Sequence, residues 1–183
     1  LADFRARHEV GLSGSSGPRY WGFVTGGATP AALAGDWLAS AYDQNVSNDI
    51  GSVASQVERE TVAGLRDLFG LPDDFAGVFV SGATQSNLVA LATARQAVYA
   101  RFGHDIAQQG LSAAPPLRVL AGAAHSSILK AMAVLGLGRD ALQPVATLPG
   151  RTAVDVAAMA TALASGEGRP TIVVASAGEV NTG

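Results

Sequence analysis

The chain has 183 residues, 48% of them hydrophobic and 15% charged, with a formal net charge of −3. That is the balance of an α/β protein with a sizeable core; the arginines are dispersed and form no basic stripe of the kind nucleic acid requires. With no cysteine, disulfides and thiolate metal sites are excluded, and the apolar runs break well short of the ~20 residues that span a bilayer.

Residues 1–28 are rich in Gly and Ser without a period, and read as an extended arm or loops. Thr29-Pro30 predicts a helix start, with Thr as N-cap, Pro in the first helical position, and Leu33, Trp37 and Ala41 on the apolar face. Residues 44–51 form a polar loop. Val53, Val57, Leu65, Leu68 and Phe69 recur at helical spacing, up to a stop at Gly70-Leu71-Pro72. The apolar run 77–80 reads as a strand, Ser81-Gly82-Ala83-Thr84 as a tight turn, and Leu88, Leu91, Ala92, Val98, Tyr99 and Phe102 as one long helix. A polar, Pro-containing connection (103–116) leads to a buried strand at 117–121. A helix at 126–135 follows, with Gly136 and Gly138 past its end. Residues 143–147 are a weak strand, 152–164 a helix with Thr152 as N-cap, and 171–175 the last strand. From residue 76 onward strands and helices alternate, which predicts a mainly parallel sheet with helices on both faces.

Ligands of such sheets bind beyond the carboxyl ends of the strands. Three segments stand there: 81–87, 122–127 and 176–183. The first is a small-residue turn opening a helix, whose leading N–H groups lack intrahelical partners and carry the positive end of the dipole. That makes it an anion site, with phosphate the usual occupant; the competing reading is an ordinary turn with Thr84 as N-cap. His125 opens the next helix, where an imidazole can stack on a flat ring or move a proton near neutral pH; the competing reading is a helix cap or a hydrogen-bonded core histidine. The third segment is polar and equally suits a plain Gly/Asn turn. His8 and His104 lie in polar stretches, and three histidines so spaced make no metal site. Lys130 is the only lysine, about 1.4 turns beyond His125, and reads as a solvated surface amine.

In order along the chain, these segments resemble the group II pyridoxal-phosphate decarboxylases, the family of aromatic amino acid, histidine and glutamate decarboxylases. Gly-Pro-Arg-Tyr-Trp-Gly-Phe-Val (17–24) is similar to an early HP-x-F-x-G-F segment, and Val57-Glu58 to an LE pair. Residues 81–87 with Ala94-Arg95 resemble SGGT-x-[SA]-N…AAR. His125-Ser126-Ser127 with Lys130-Ala131 resembles HSS-x-x-KA, Gly150-Arg151 a GR pair, and residues 177–183 AGTVNTG. Each motif is weak alone; six in order are specific. Gly17 stands where many relatives have His, and Glu179 where many have Thr.

The resemblance implies fold type I, the aspartate-aminotransferase-like α/β architecture, with pyridoxal 5′-phosphate as cofactor and an L-amino acid as substrate. It places Ala83 and Thr84 at the cofactor phosphate, His125 over the pyridine ring as the catalytic histidine, and Asn181 and Thr182 in a loop near the cofactor. It divides the chain into an arm, first helix and loop (1–51) and the first part of the cofactor-binding large domain (52–183). It also implies a homodimer with its active site at the interface, with Tyr20 to Phe23 candidates for the substrate pocket; the short apolar runs, and first residues without a basic-then-apolar order, lead us to expect a cytoplasmic protein. Leu1 in first place, and an end just after a core strand, lead us to expect the remainder of the polypeptide elsewhere. The family's Schiff-base lysine and the Asp pairing with the pyridine nitrogen come later than its NTG, and Lys130 matches neither. Another fold type I enzyme, a transaminase or lyase, stays open, as does a non-catalytic role if the natural chain ends at Gly183.

Overall fold

Two short β-branched and apolar runs, far apart in sequence, pair at the centre of the fold. In the computed structural model, which describes residues 1–22, 26–45, 50–166 and 168–178, they are β1 (Arg118–Ala121) and β3 (Thr171–Val174). β2 (Leu142–Pro144) flanks β1 on its other side, so the sheet runs β2-β1-β3 with both pairs parallel. Val119 pairs with Leu142 on one side and Ile172 on the other. β1 is buried along its whole length, as expected of a central strand covered on both faces.

Successive side chains of a strand point to opposite faces. Val119 and Ile172 face α4 (Ala83–Arg101) and α6 (Ser126–Val134), and with Leu91, Tyr99, Ile128 and Met132 they form the core. Arg118 is turned the other way, toward α7 (Val156–Ala164). Its Nη1 donates to the Ala162 carbonyl (3.1 Å), and its Nε and Nη2 donate to Thr171 Oγ1 (3.2 Å each), the residue opposite it in the ladder. The carbonyl of Ala162 belongs to the last turn of α7, where intrahelical donors run out. A buried guanidinium therefore satisfies the negative end of that helix. Arg95 on α4 serves α6 in the same manner, with Nη1 donating to the Leu135 carbonyl at 2.9 Å.

A second tie joins α4 and α6. Asn87 meets Ser127, and Arg95 meets Leu135, each pair 40 residues apart in sequence. Equal separations at two points mean that the helices run side by side in the same direction. Their N-termini accordingly lie at one end, the end at which β1 leaves the sheet.

The chain packs into two compact units, residues 1–79 and 80–183; the sheet and its helices belong to the second. The first holds α1 (Ala2–His8), α2 (Pro30–Tyr42) and α3 (Ala54–Leu68), none with a buried residue. Trp37, expected on the packed face of α2, is 70% exposed. Thr29 caps α2 as expected, its Oγ1 accepting from the Ala32 N–H at 3.2 Å, and α3 stops before Gly70, which takes the left-handed φ of +63°.

Several elements depart from expectation. The extended arm opens instead with α1, carrying Asp3 in its first turn and the i,i+4 pairs Asp3–Arg7 and Arg5–Glu9, each worth ~0.2–0.5 kcal/mol to a helix. Residues 77–80 form no strand among the described residues; the Phe79 N–H is bound by the Glu58 carboxylate at 2.9 Å rather than by a ladder. Asp155, not Thr152, caps α7, accepting from the N–H groups of Ala157 and Ala158 at 2.9 and 3.1 Å. The one-turn helix α5 (Ile106–Gln109) interrupts the connection expected at 103–116.

Candidate functional site at the carboxyl edge of the sheet

α4 begins without a side-chain cap. Gly82 is its N-cap residue, in extended conformation, and Ala83 the first helical residue. The first helical bond runs from the Ser86 N–H to the Gly82 carbonyl, which leaves the N–H groups of Ala83, Thr84 and Gln85 without a protein acceptor among the described residues. Thr84 is exposed and its hydroxyl caps nothing, so the N-cap reading of this residue falls away. A Cβ added at Gly82 would meet no atom of the described residues within 4 Å. Beside it, Ser81 Oγ is hydrogen-bonded to Gln85 Oε1.

His125 sits one residue ahead of α6 and is its N-cap: Nδ1 accepts from the Ser127 N–H at 3.2 Å. The capping alternative is thus correct for one ring nitrogen. The ring itself is exposed, and Nε2 has no partner among the described residues. Nδ1 also lies 2.8 Å from Ser127 Oγ, which in turn accepts from Asn87 Nδ2 at 2.7 Å. Ser127 is only 2% exposed. The line Asn87–Ser127–His125 therefore links the start of α4 to the start of α6. Sequence reasoning passed over Asn87 and Ser127 as individual residues, although both lie in the segments it singled out. Only the parallel alignment of the two helices reveals the contact.

Two positively polarised helix starts, one unspent hydroxyl and one imidazole thus gather where β1 ends. Ser176, just past β3, closes toward the same edge, its Oγ donating to the Ala123 carbonyl at 3.2 Å. A cavity of about 710 Å³ opens at this edge between residues 147–153, Ala123, Ser176 and Gly178; Thr84 and His125 do not line it. Asn181, Thr182 and Glu179 lie outside the described residues, as does Phe23. Lys130 is exposed on α6. Among the described residues no three His, Asp or Glu side chains gather as metal ligands, and no helix is long and apolar enough to cross a membrane.

Glu58, the acid of the Val57-Glu58 pair, accepts from the Phe79 N–H within the first unit. Gly122, just past β1, also has a reason, since a Cβ there would come 3.2 Å from that of Val154.

Comparison with known proteins agrees with this architecture. The model of the pyridoxal-dependent decarboxylase conserved domain matches residues 1–183. An L-2,4-diaminobutyrate decarboxylase of Rhizobium meliloti is 38% identical over 156 residues, which are 83% of this chain and 29% of that protein. A cysteine sulfinic acid decarboxylase of Mus musculus is 34% identical over 144 residues, 77% of this chain and 28% of that protein. Among solved structures, mouse CSAD superposes with a TM-score of 0.73 at 30% identity, covering 87% of this chain and 32% of that one. Oryza sativa TDC, solved with PLP and tryptamine, superposes with a TM-score of 0.76 at 23% identity, covering 90% of this chain and 35% of that one. The chain thus spans about a third of the length of the proteins it matches. Its parallel sheet, with helices on both faces, is part of the fold type I architecture, and the chain belongs to the pyridoxal-dependent decarboxylase family.

Proposed function

We propose that this chain is the part of an amino acid decarboxylase that cradles the phosphate of pyridoxal 5′-phosphate and sets a histidine over the cofactor ring. The whole protein would convert an L-amino acid to its amine and CO₂. The observation that carries this reading is the parallel alignment of α4 and α6, which brings the uncapped helix start at Ala83–Thr84 and the exposed ring of His125 to one edge of the sheet.

The donor set suits the cofactor. A phosphate dianion needs several donors, and the start of α4 offers the Thr84 hydroxyl and N–H groups without a protein acceptor among the described residues. When bound, pyridoxal phosphate supplies the sink for the electron pair left as the Cα–carboxylate bond breaks. Ala83 and Thr84 hold the phosphate, so that the ring cannot drift from the reacting carbon. His125 covers one ring face and presents Nε2 for proton delivery to that carbon. Asn181 and Thr182 are assigned to the cofactor-facing loop on the resemblance of their motif.

The covalent lysine and the partner of the pyridine nitrogen are assigned to the remainder of the polypeptide, and Lys130 to neither role. The resemblance further supports a homodimer with its active site at the interface.

In the full-length protein, His125→Ala is expected to cut turnover by a factor on the order of 10²–10⁴, the range of positioned acid–base groups, with a far smaller change in cofactor affinity. Unchanged turnover would remove the histidine from the mechanism.

A further inference from the structure

The line from Asn87 through Ser127 to His125 has a direction. A backbone N–H can only donate, so the Ser127 N–H, 3.2 Å from His125 Nδ1, favours a lone pair on that nitrogen. Ser127 Oγ accepts from the Asn87 amide at 2.7 Å, which turns the hydroxyl proton toward Nδ1, 2.8 Å away. Two donors therefore converge on Nδ1, and the single ring proton of the neutral imidazole resides on Nε2. Ser127 is almost wholly buried and Asn87 half-buried, so water does not readily replace either partner.

We infer that Asn87 and Ser127 are positioning residues that lock His125 in the Nε2–H tautomer and fix its ring plane, and that decarboxylation depends on this lock. The inference rests on the reading of His125 as the ring-facing histidine. Neither residue touches the reacting atoms; both act through the imidazole. Asn87 is the polarity-setting member. An Asp in its place keeps the shape but accepts the Ser127 proton, which turns the hydroxyl lone pairs toward Nδ1 and favours a proton there.

The test uses the full-length protein, labelled with ¹⁵N in its histidine rings and free of cofactor, with the signals of His125 identified by their loss in His125→Gln. The wild-type spectrum is expected to show Nδ1 unprotonated and Nε2 protonated. In Ser127→Ala and Asn87→Asp the Nδ1–H tautomer should rise severalfold. With cofactor added, kcat should fall about tenfold in each, the factor that one hydrogen bond of ~1.4 kcal/mol converts to, with KM and cofactor Kd within about twofold. The double variant should be no worse than Ser127→Ala alone, because without the hydroxyl residue 87 has nothing to direct. Ser127→Thr, which keeps the hydroxyl, should recover most of the rate. A wild-type proton on Nδ1, an unchanged tautomer in Ser127→Ala, or losses that multiply in the double variant would overturn the inference. Ser127→Ala decides alone if Asn87→Asp does not fold. If the tautomers behave as expected while CO₂ release survives His125→Gln, the lock stands and the functional reading of His125 fails.

Discussion

Replacing Thr84 by valine removes one hydroxyl and keeps the β-branched shape. The residue is exposed at the second position of α4, and its side chain caps nothing. Thr and Val have similar helix propensities, so the unfolding midpoint of the cofactor-free protein should barely move. Binding should change much more. A hydrogen bond to a charged group is worth ~1.5–3 kcal/mol, so losing the one from Thr84 to a phosphate should raise the Kd for pyridoxal phosphate roughly 10- to 150-fold. The neighbouring N–H groups remain, so binding should weaken rather than vanish. Equilibrium dialysis of cofactor against the full-length protein reads this directly, and thermal unfolding without cofactor supplies the control. A Kd within about twofold of wild type would refute the cradle. So would a large loss of stability without cofactor, because the geometry gives Thr84 no part in holding the fold.

Two predictions concern the scaffold behind the site. Burial raises the Tyr99 hydroxyl above its ordinary value of 10.0, and Arg95 offsets this in part; the group also donates to the Pro115 carbonyl at 2.9 Å. A raised folded value means that the unfolded chain loses the proton first. The stability from Tyr99 is therefore complete below about pH 10 and is lost as pH climbs toward the folded value; Tyr99→Phe should remove that alkaline slope in denaturant titrations and cost ~1 kcal/mol at neutral pH. At Gly166 an added Cβ would overlap the Arg118 guanidinium, which is held by Thr171 and Ala162. Gly166→Ala should destabilise by about 2 kcal/mol or more, measured as a shift in denaturant midpoint, because a buried cation must give up its partners or its place.

What the sequence disclosed about this fold follows from which forces are local. The alternation from α4 onward was legible because each core strand is a short apolar run set off from its neighbours by Gly, Pro or polar residues. Thr29-Pro30 and Gly70 were legible because caps act over three or four residues. The start of α7 shows the limit of such signals. Thr152 and Asp155 both suit an N-cap, but Val154 is held in an antiparallel bridge to Thr147, which moves the helix start to Asp155. Residues 77–80 carry a strand composition, and composition does not reveal whether a neighbouring strand is available; here Glu58 takes the donor that a ladder would use.

The site was legible as positions and not as connections. His125 stood out by residue type and place, and its cap on the Ser127 N–H is local, but its tie through Ser127 to Asn87 depends on the parallel run of α4 and α6, a contact across 40 residues. The same holds for Arg95, which reads only as part of a motif, and for Arg118, one of the dispersed arginines; they prove to satisfy the carboxyl ends of α6 and α7. Nothing within a few residues of either arginine signals that role.

The central claim is that the protein containing this chain removes the α-carboxylate of an amino acid. Its most direct test is to incubate the full-length protein and pyridoxal phosphate with each L-amino acid in turn, measuring CO₂, amine and keto acid together. The account predicts amine and CO₂ in equal amounts from at least one substrate, dependent on added cofactor. Keto acid formed without CO₂ would make the protein a transaminase, and no product from any amino acid would contradict decarboxylation.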